Sequence, residues 1–163
     1  MAAIRRKEAG ACRFGDQVGR RNGKGREMME TIQWSKDLSV GIAKIDEQHS
    51  KLIQIMGELD EAIRKDEAAD MLEDILTNLF NYAQSHFATE EELLRKHKYP
   101  EMALHELEHQ RFIAKAFAFK ERLHSKRPGL ALELLTFLSS WVLNHIELTD
   151  KRYTKHLHGC GVQ

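Results

Sequence analysis

Four long segments of this 163-residue chain place apolar side chains three or four positions apart, the spacing of one face of an α-helix. The segments run over about residues 46 to 64, 68 to 97, 101 to 124 and 130 to 156. The chain has two prolines, and both Pro100 and Pro128 fall between segments. No useful length of sequence alternates with the period of two that a half-buried strand requires. Four helices with short connections predict an all-α, up-down-up-down antiparallel four-helix bundle.

The beginning of the chain differs in composition from the rest. Residues 1 to 27 contain five of the ten glycines, eight Lys or Arg and three acids, a local net charge of +5. This stretch has no apolar periodicity, so we expect a disordered basic extension over residues 1 to 28 and the bundle over residues 29 to 163. A transit peptide without serine and a phosphate-binding tail are the alternatives. Residues 29 to 45 are expected to form a non-helical N-terminal arm across the bundle.

Composition argues against several classes of protein. Lys plus Arg and Asp plus Glu number 25 each, and the zero net charge argues against nucleic-acid binding through a basic surface. No apolar run approaches the roughly 20 residues of a membrane-spanning helix, so we expect no membrane partner. The two cysteines, Cys12 and Cys160, form no disulfide framework. They favour a location in the reducing cytoplasm.

Polar side chains that can bind metals interrupt the inward-facing stripes of all four segments. They are His49, His86, Glu90, His105, His109 and His145. Counting from each predicted turn at a rise of about 1.5 Å per residue brings them to one level of the bundle. Burying so many polar groups without partners would be strongly unfavourable, whereas imidazoles and carboxylates can act as metal ligands. The pattern therefore predicts a metal site.

With Asp150 included, five imidazoles and two carboxylates are too many ligands for one tetrahedral zinc. They suit two octahedral ions that share bridging carboxylates. An i, i+4 spacing places the ligand pairs of the second and third segments each on one helix face. Asp150 follows His145 by five residues, about 140° around a regular helix. A widened turn or a reaching side chain is therefore needed to bring both residues to one site.

The ordered pattern H…H-x3-E…H-x3-H…H-x4-D resembles the hemerythrin family, and its flanks match bacterial members. The matching stretches are Ile45-Asp46-Glu47-Gln48-His49, His86-Phe87-Ala88-Thr89-Glu90-Glu91, Tyr99-Pro100 before His105, His109-Gln110-Arg111-Phe112, and Trp141-Val142-Leu143-Asn144-His145-Ile146 continuing to Asp150. The resemblance covers about residues 32 to 158. It fills all seven ligand positions with the expected residue types.

This resemblance implies a non-haem di-iron centre that binds O2 reversibly. Three histidines would hold one iron with a complete set of ligands: His105, His109 and His145. Two histidines would hold the other iron, which keeps one open position: His49 and His86. Two carboxylates would bridge the irons together with an oxo or hydroxo group: Glu90 and Asp150.

Reversible binding further implies a dry pocket at the open position. Four apolar residues flank the ligands on the second and fourth segments and are expected to line this O2 pocket: Phe87, Trp141, Val142 and Ile146. Plain core packing is the other interpretation of the same four residues, and the two are compatible.

The resemblance predicts a binding protein without catalytic residues, which carries, stores or delivers oxygen, with an oxygen-consuming enzyme as the recipient. The alternative is a di-iron enzyme, or an iron-delivery or repair protein, that handles O2, nitric oxide or peroxide. Oxygen-activating bundles use carboxylate-rich sites. Five neutral imidazoles against two carboxylates favour the ferrous state and reversible binding, so the sequence favours the binding protein.

Overall fold

The computed structural model describes residues 32–125 and 128–163, and the predicted basic extension lies outside these residues. The described part is helical and contains no strand. Its main helices are α1 (Ala43–Lys65), α2 (Ala68–Lys96), α3 (Met102–Arg122), α4 (Leu130–Asn144) and α5 (Lys151–Gly159). A π-helical turn over His145–Asp150 joins α4 to α5 with helical backbone angles at both junctions, so these elements form the fourth arm. The predicted four-helix bundle is confirmed.

Residues in the left-handed conformation separate the helices. Asp66 follows α1 at φ 63°, Lys98 follows α2 at φ 53°, and Gly129 precedes α4 at φ 86°. Glu67 donates its backbone N–H to the carbonyl of Ala62 at 2.9 Å, which satisfies one of the last carbonyls of α1. Connections this short make consecutive helices antiparallel, as the spacing of the apolar segments predicted.

The apolar stripes of the four arms pack into one core along the bundle. Its fully buried members include Leu52, Met56, Leu59, Leu79, Leu134 and Leu138. No helix in the described residues combines the length and apolar character needed to cross a bilayer.

The N-terminal arm packs on the bundle, but part of it is helical, contrary to the non-helical arm expected over residues 29 to 45. Leu38, Val40 and Ile42 are buried, a 3-10 turn spans Lys36–Leu38, and α1 begins at Ala43. The Asp46 carboxylate explains the early start, because it accepts hydrogen bonds from the Ser39 hydroxyl at 2.6 Å and the Val40 N–H at 2.7 Å. These bonds tie the arm to the first turn of α1, so residues 43 to 45 are helical rather than extended.

Candidate metal centre

Seven polar side chains meet in one buried layer, and each exposes at most 2% of its surface. They are the seven predicted ligands: His49, His86, Glu90, His105, His109, His145 and Asp150. α1 supplies one of them, α2 and α3 supply two each, and the π-helical turn supplies two. The structure therefore brings together every residue that the sequence assigned to the metal site.

The donor atoms form two groups that share one carboxylate. The larger group contains Glu90, His105, His109 and His145, whose donor atoms lie within 4.8 Å of one another. The smaller group contains His49, His86 and Glu90, within the same limit. Glu90 Oε2 lies 3.5 Å from His86 Nε2 and 3.2 Å from His109 Nε2, so one oxygen faces both groups.

Asp150 spans the same two groups from the opposite arm. Its Oδ2 lies 3.2 Å from His49 Nε2, and its Oδ1 lies 3.2 Å from His145 Nε2. Both carboxylates are thus placed between the two sets of histidines. This arrangement suits two metal positions joined by carboxylates.

The π-helical turn accounts for the awkward five-residue spacing. Hydrogen bonds from residue i to i+5 widen the turn, so residues five apart lie much closer to one face than the roughly 140° separation of a regular helix. His145 and Asp150 are the first and last residues of this turn, and both side chains reach the layer. Of the two alternatives that the sequence left open, a widened turn or a reaching side chain, the widened turn is present.

Three histidines donate their outer ring N–H to an acceptor outside the layer. The Nδ1 pairs are His86 with Gln48 at 3.2 Å, His109 with Glu91 at 2.9 Å, and His145 with Glu108 at 3.1 Å. A proton on Nδ1 leaves the Nε2 lone pair directed at the layer, as a metal ligand requires. These three partners were not predicted from the sequence, although each one precedes or follows a predicted ligand directly in the chain.

Two buried tyrosines adjoin the layer and were also missed. The Tyr153 hydroxyl donates to Glu90 Oε1, and its ring centroid lies 5.5 Å from that of His105. Tyr82 stacks on His86 at 5.2 Å, and its hydroxyl has no hydrogen-bond partner among the described residues. Tyr153 follows Asp150 by three residues and Tyr82 precedes His86 by four, so helical periodicity could have indicated both.

Burial sets the protonation of the layer. It lowers the pKa of His86 to about 3 and also lowers the pKa values of His49 and His145, so these imidazoles are neutral near pH 7. Burial and the nearby Glu90 charge raise the pKa of Asp150 well above its usual value. Neutral imidazoles beside two carboxylates in a dry layer are the donors expected around cations.

Unpaired donor atoms test whether a metal fits. His109 Nε2 and His145 Nε2 face each other at 3.2 Å, and both are lone pairs because each ring donates through Nδ1. Both oxygens of Asp150 and both ring nitrogens of His49 lack hydrogen-bond partners in the described part of the chain. Two ligands at right angles on bonds of about 2.1 Å would lie about 3 Å apart. The donor set therefore fits a metal centre.

The four predicted pocket residues adjoin the layer on α2 and the fourth arm. Phe87, Val142 and Ile146 are buried, whereas Trp141 is only partly buried. Phe87 stacks on His109 with ring centroids 3.7 Å apart, and Trp141 stacks on His145 at 4.2 Å. Trp141 thus covers a histidine of the larger group, whereas Phe87 also lies 5.5 Å from the ring of His86 in the smaller group. That these four residues line an O2 pocket stays a prediction.

Comparisons with known proteins agree with this geometry. The family model described as "Hemerythrin HHE cation binding domain" matches residues 40–157. A bacteriohemerythrin of Stenotrophomonas maltophilia is 34% identical over 125 residues, which cover 77% of this chain and 80% of that protein. A bacteriohemerythrin of Clostridium acetobutylicum is 32% identical over 124 residues, covering 74% and 96% respectively.

A solved structure of wild-type hemerythrin shares the fold, with a TM-score of 0.66 at 23% identity over 78% of this chain and 98% of that one. The family binds a di-iron centre, and the histidine and glutamate groups of the buried layer are positioned for a metal site. The family match over residues 40–157, with more than 30% identity to relatives across about three quarters of the chain, shows that this chain belongs to the hemerythrin family.

Proposed function

We propose that this chain binds O2 reversibly at a di-iron centre and serves as an oxygen carrier, storage or delivery protein. Membership of the hemerythrin family supports a di-iron, O2-binding protein in general. The observation that carries the proposal is the donor set, in which five imidazoles outnumber two carboxylates in one buried layer. Neutral donors favour ferrous iron, whereas oxygen-activating bundles surround their metals with carboxylates.

The proposed ligands follow the two groups of donor atoms. One iron would be held by His105, His109 and His145, and the other by His49 and His86. Glu90 and Asp150 would bridge them, which is supported by the contacts of each carboxylate with histidines of both groups. The position with two histidines would keep a place open for O2. When bound, a di-iron centre supplies the electrons for reversible O2 uptake.

The protein itself keeps this site dry and its ligands oriented. Val142 and Ile146 are almost completely buried, and Phe87 covers His109, so water has little access from the α2 side and the fourth arm. Tyr153 fixes one oxygen of Glu90 and leaves the other facing the histidines. Excluding water and protons protects a reversible site, because both promote irreversible oxidation of the metal.

The experiment is anaerobic reduction of the iron-loaded protein followed by rapid mixing with O2, monitored by absorption spectroscopy. We expect a long-lived band that appears with O2 and is lost when the O2 pressure is lowered, with O2 recovered in the gas phase. Chelator-treated protein is the control and should show no band.

The same measurement separates carrier from enzyme. Decay of the band within one turnover, with no recoverable O2, would contradict the carrier and favour a di-iron enzyme or an iron-delivery or repair protein handling O2, nitric oxide or peroxide. The proposal further includes a cytoplasmic location, which the low cysteine content favours, and an oxygen-consuming enzyme as recipient.

A further inference from the structure

We infer that the hydrogen-bond partners of three histidines make the two metal positions electronically unequal, so that iron beside His109 and His145 is the more easily oxidised. The inference rests on the proposed di-iron ligand set. Glu91 and Glu108 act as positioning residues through these two histidines, and Gln48 acts through His86.

The partners differ in charge between the two positions. In the three-histidine position, His109 donates to Glu91 and His145 donates to Glu108, at 2.9 and 3.1 Å. In the two-histidine position, His86 donates at 3.2 Å to the neutral amide oxygen of Gln48. The remaining histidine of each position has no Nδ1 partner in the described residues, so the contrast lies between two carboxylates and one amide.

A hydroxyl network fixes the orientation of the Gln48 amide. Thr89 donates its hydroxyl to the Ser85 carbonyl at 2.8 Å, so its oxygen can accept from the Gln48 amide NH2 at 3.2 Å. The amide oxygen then faces His86 and accepts its Nδ1–H. In the two-histidine position, His86 therefore donates to a neutral amide oxygen, and the contacts of Thr89 determine this orientation of the amide.

A carboxylate that accepts a histidine N–H raises the basicity of the opposite ring nitrogen. A more basic ligand stabilises ferric iron relative to ferrous iron. The first electron lost from a fully reduced centre should thus come from the three-histidine position. The iron in the two-histidine position, which would have the open coordination site, should remain ferrous longest. The ferrous state is the one that O2 uptake requires.

The two glutamates should not contribute equally. Glu91 makes the shorter bond and its side chain is 26% exposed, whereas that of Glu108 is 42% exposed. Glu108 Oε2 also accepts from the Thr149 hydroxyl at 2.9 Å, which draws on the same oxygen. Solvent screening weakens the more exposed charge. Glu91 is therefore expected to have the larger effect.

The experiment measures both one-electron reduction potentials of the iron-loaded protein by spectroelectrochemistry. Glu91→Gln keeps a hydrogen-bond acceptor of the same shape but removes the negative charge. It should raise the reduction potential of the three-histidine position by about 59 mV, which is a tenfold change in the one-electron reduction equilibrium. Glu108→Gln should raise it by less. Gln48→Glu should lower the potential of the other position and narrow the gap between the two couples.

Glu92→Gln is the matched control, since Glu92 is an exposed neighbour of Glu91 on α2. Glu92→Gln should shift both reduction potentials equally, and by less than a third of the shift that Glu91→Gln causes. Iron content and melting temperature should stay near parental values in all four variants, which separates an electronic effect from a structural one.

Equal shifts in Glu91→Gln and Glu92→Gln, or shifts of both couples together, would overturn the inference. O2 reversibility of the parent is measured on the same samples. If the parent binds O2 reversibly but the variants have unchanged reduction potentials, this inference is overturned and the proposed function still stands. A parent that holds no iron pair would overturn both.

Discussion

Tyr153 holds Glu90 by one carboxylate oxygen, Oε1, and so leaves Oε2 free to face the histidines of both groups. The hydroxyl comes from α5, beyond the π-helical turn, and reaches across the bundle to α2. The bond orients a buried carboxylate that would otherwise rotate, and it removes one unpaired oxygen from the dry layer.

Replacing Tyr153 with Phe should therefore weaken both fold and metal site. Loss of the hydroxyl leaves a buried carboxylate oxygen unpaired, at about 1–3 kcal/mol in the free energy of unfolding. Iron affinity should fall about tenfold, because partners of ligating groups commonly have effects of that size. Thermal denaturation and iron titration check this. Tyr99→Phe is the control, since that hydroxyl makes a long, exposed hydrogen bond to Glu101. An equal loss in both variants would contradict the role of Tyr153.

Removing either carboxylate ligand should reduce iron content and stability together. Glu90→Ala or Asp150→Ala removes one of the two carboxylates proposed to bridge the irons, and metal binding energy is folding energy. Elemental analysis of the parent should give close to two irons per chain, and both variants should hold fewer and melt earlier. His124→Ala, at an exposed position, should change neither. One zinc and no iron in the parent would contradict the di-iron centre.

Opening the pocket wall should shorten the life of the oxygenated protein. Ile146→Ala or Trp141→Ser admits water and protons while all seven ligands stay in place, so iron content should change little. Autoxidation should accelerate about tenfold, which corresponds to only about 1.4 kcal/mol of barrier. Decay of the absorption band after O2 addition measures the rate. The control is Leu143→Ala, an exposed site on α4; unchanged rates in both pocket variants would show that the wall lies elsewhere.

Acid should destabilise the metal-free protein. Burial lowers the pKa of His86 to about 3 and lowers the pKa values of His49 and His145, while histidines in the unfolded chain have a pKa of about 6.5. Below about pH 6.5 the unfolded state therefore binds more protons, and the free energy of unfolding falls as the pH falls. The raised pKa of Asp150 acts in the opposite direction and offsets part of this dependence.

Each net proton corresponds to about 1.4 kcal/mol per pH unit. Denaturant unfolding at a series of pH values between about 7 and 5 measures the slope. The variant His86→Gln removes one titrating group and should flatten the slope by about one proton. A stability that rises on acidification would contradict the assigned protonation of the layer.

Deleting residues 1 to 27 should leave iron content, O2 binding and melting temperature nearly unchanged. That stretch has no apolar periodicity with which to pack against a core. The truncated and full-length chains can be compared by elemental analysis and thermal denaturation. Failure of the truncated chain to fold or to load iron would place the segment within the domain.

The sequence alone was sufficient for the architecture and for the seven residues of the layer. Apolar spacing of three and four defines which face of each helix is buried, and the positions of Pro100 and Pro128 define where helices stop. Counting from the turns then brought the polar residues to one level, since helical rise is constant. A widened turn between His145 and Asp150 was one of two alternatives that the five-residue spacing allowed, the other being a reaching side chain, and the structure has the widened turn.

Only the tertiary structure decided which side chains accept hydrogen bonds from the predicted metal-binding histidines. Helical spacing specifies a face but not the partner met across the bundle, which depends on how two helices rotate and approach. That is why Gln48, Glu91 and Glu108 could be assigned to their histidines only from contacts between different helices. The early start of α1 likewise depends on Asp46 meeting the arm. Local chemistry thus determined the bundle and its polar layer, and the packing of helix against helix determined the hydrogen bonds that orient and charge that layer.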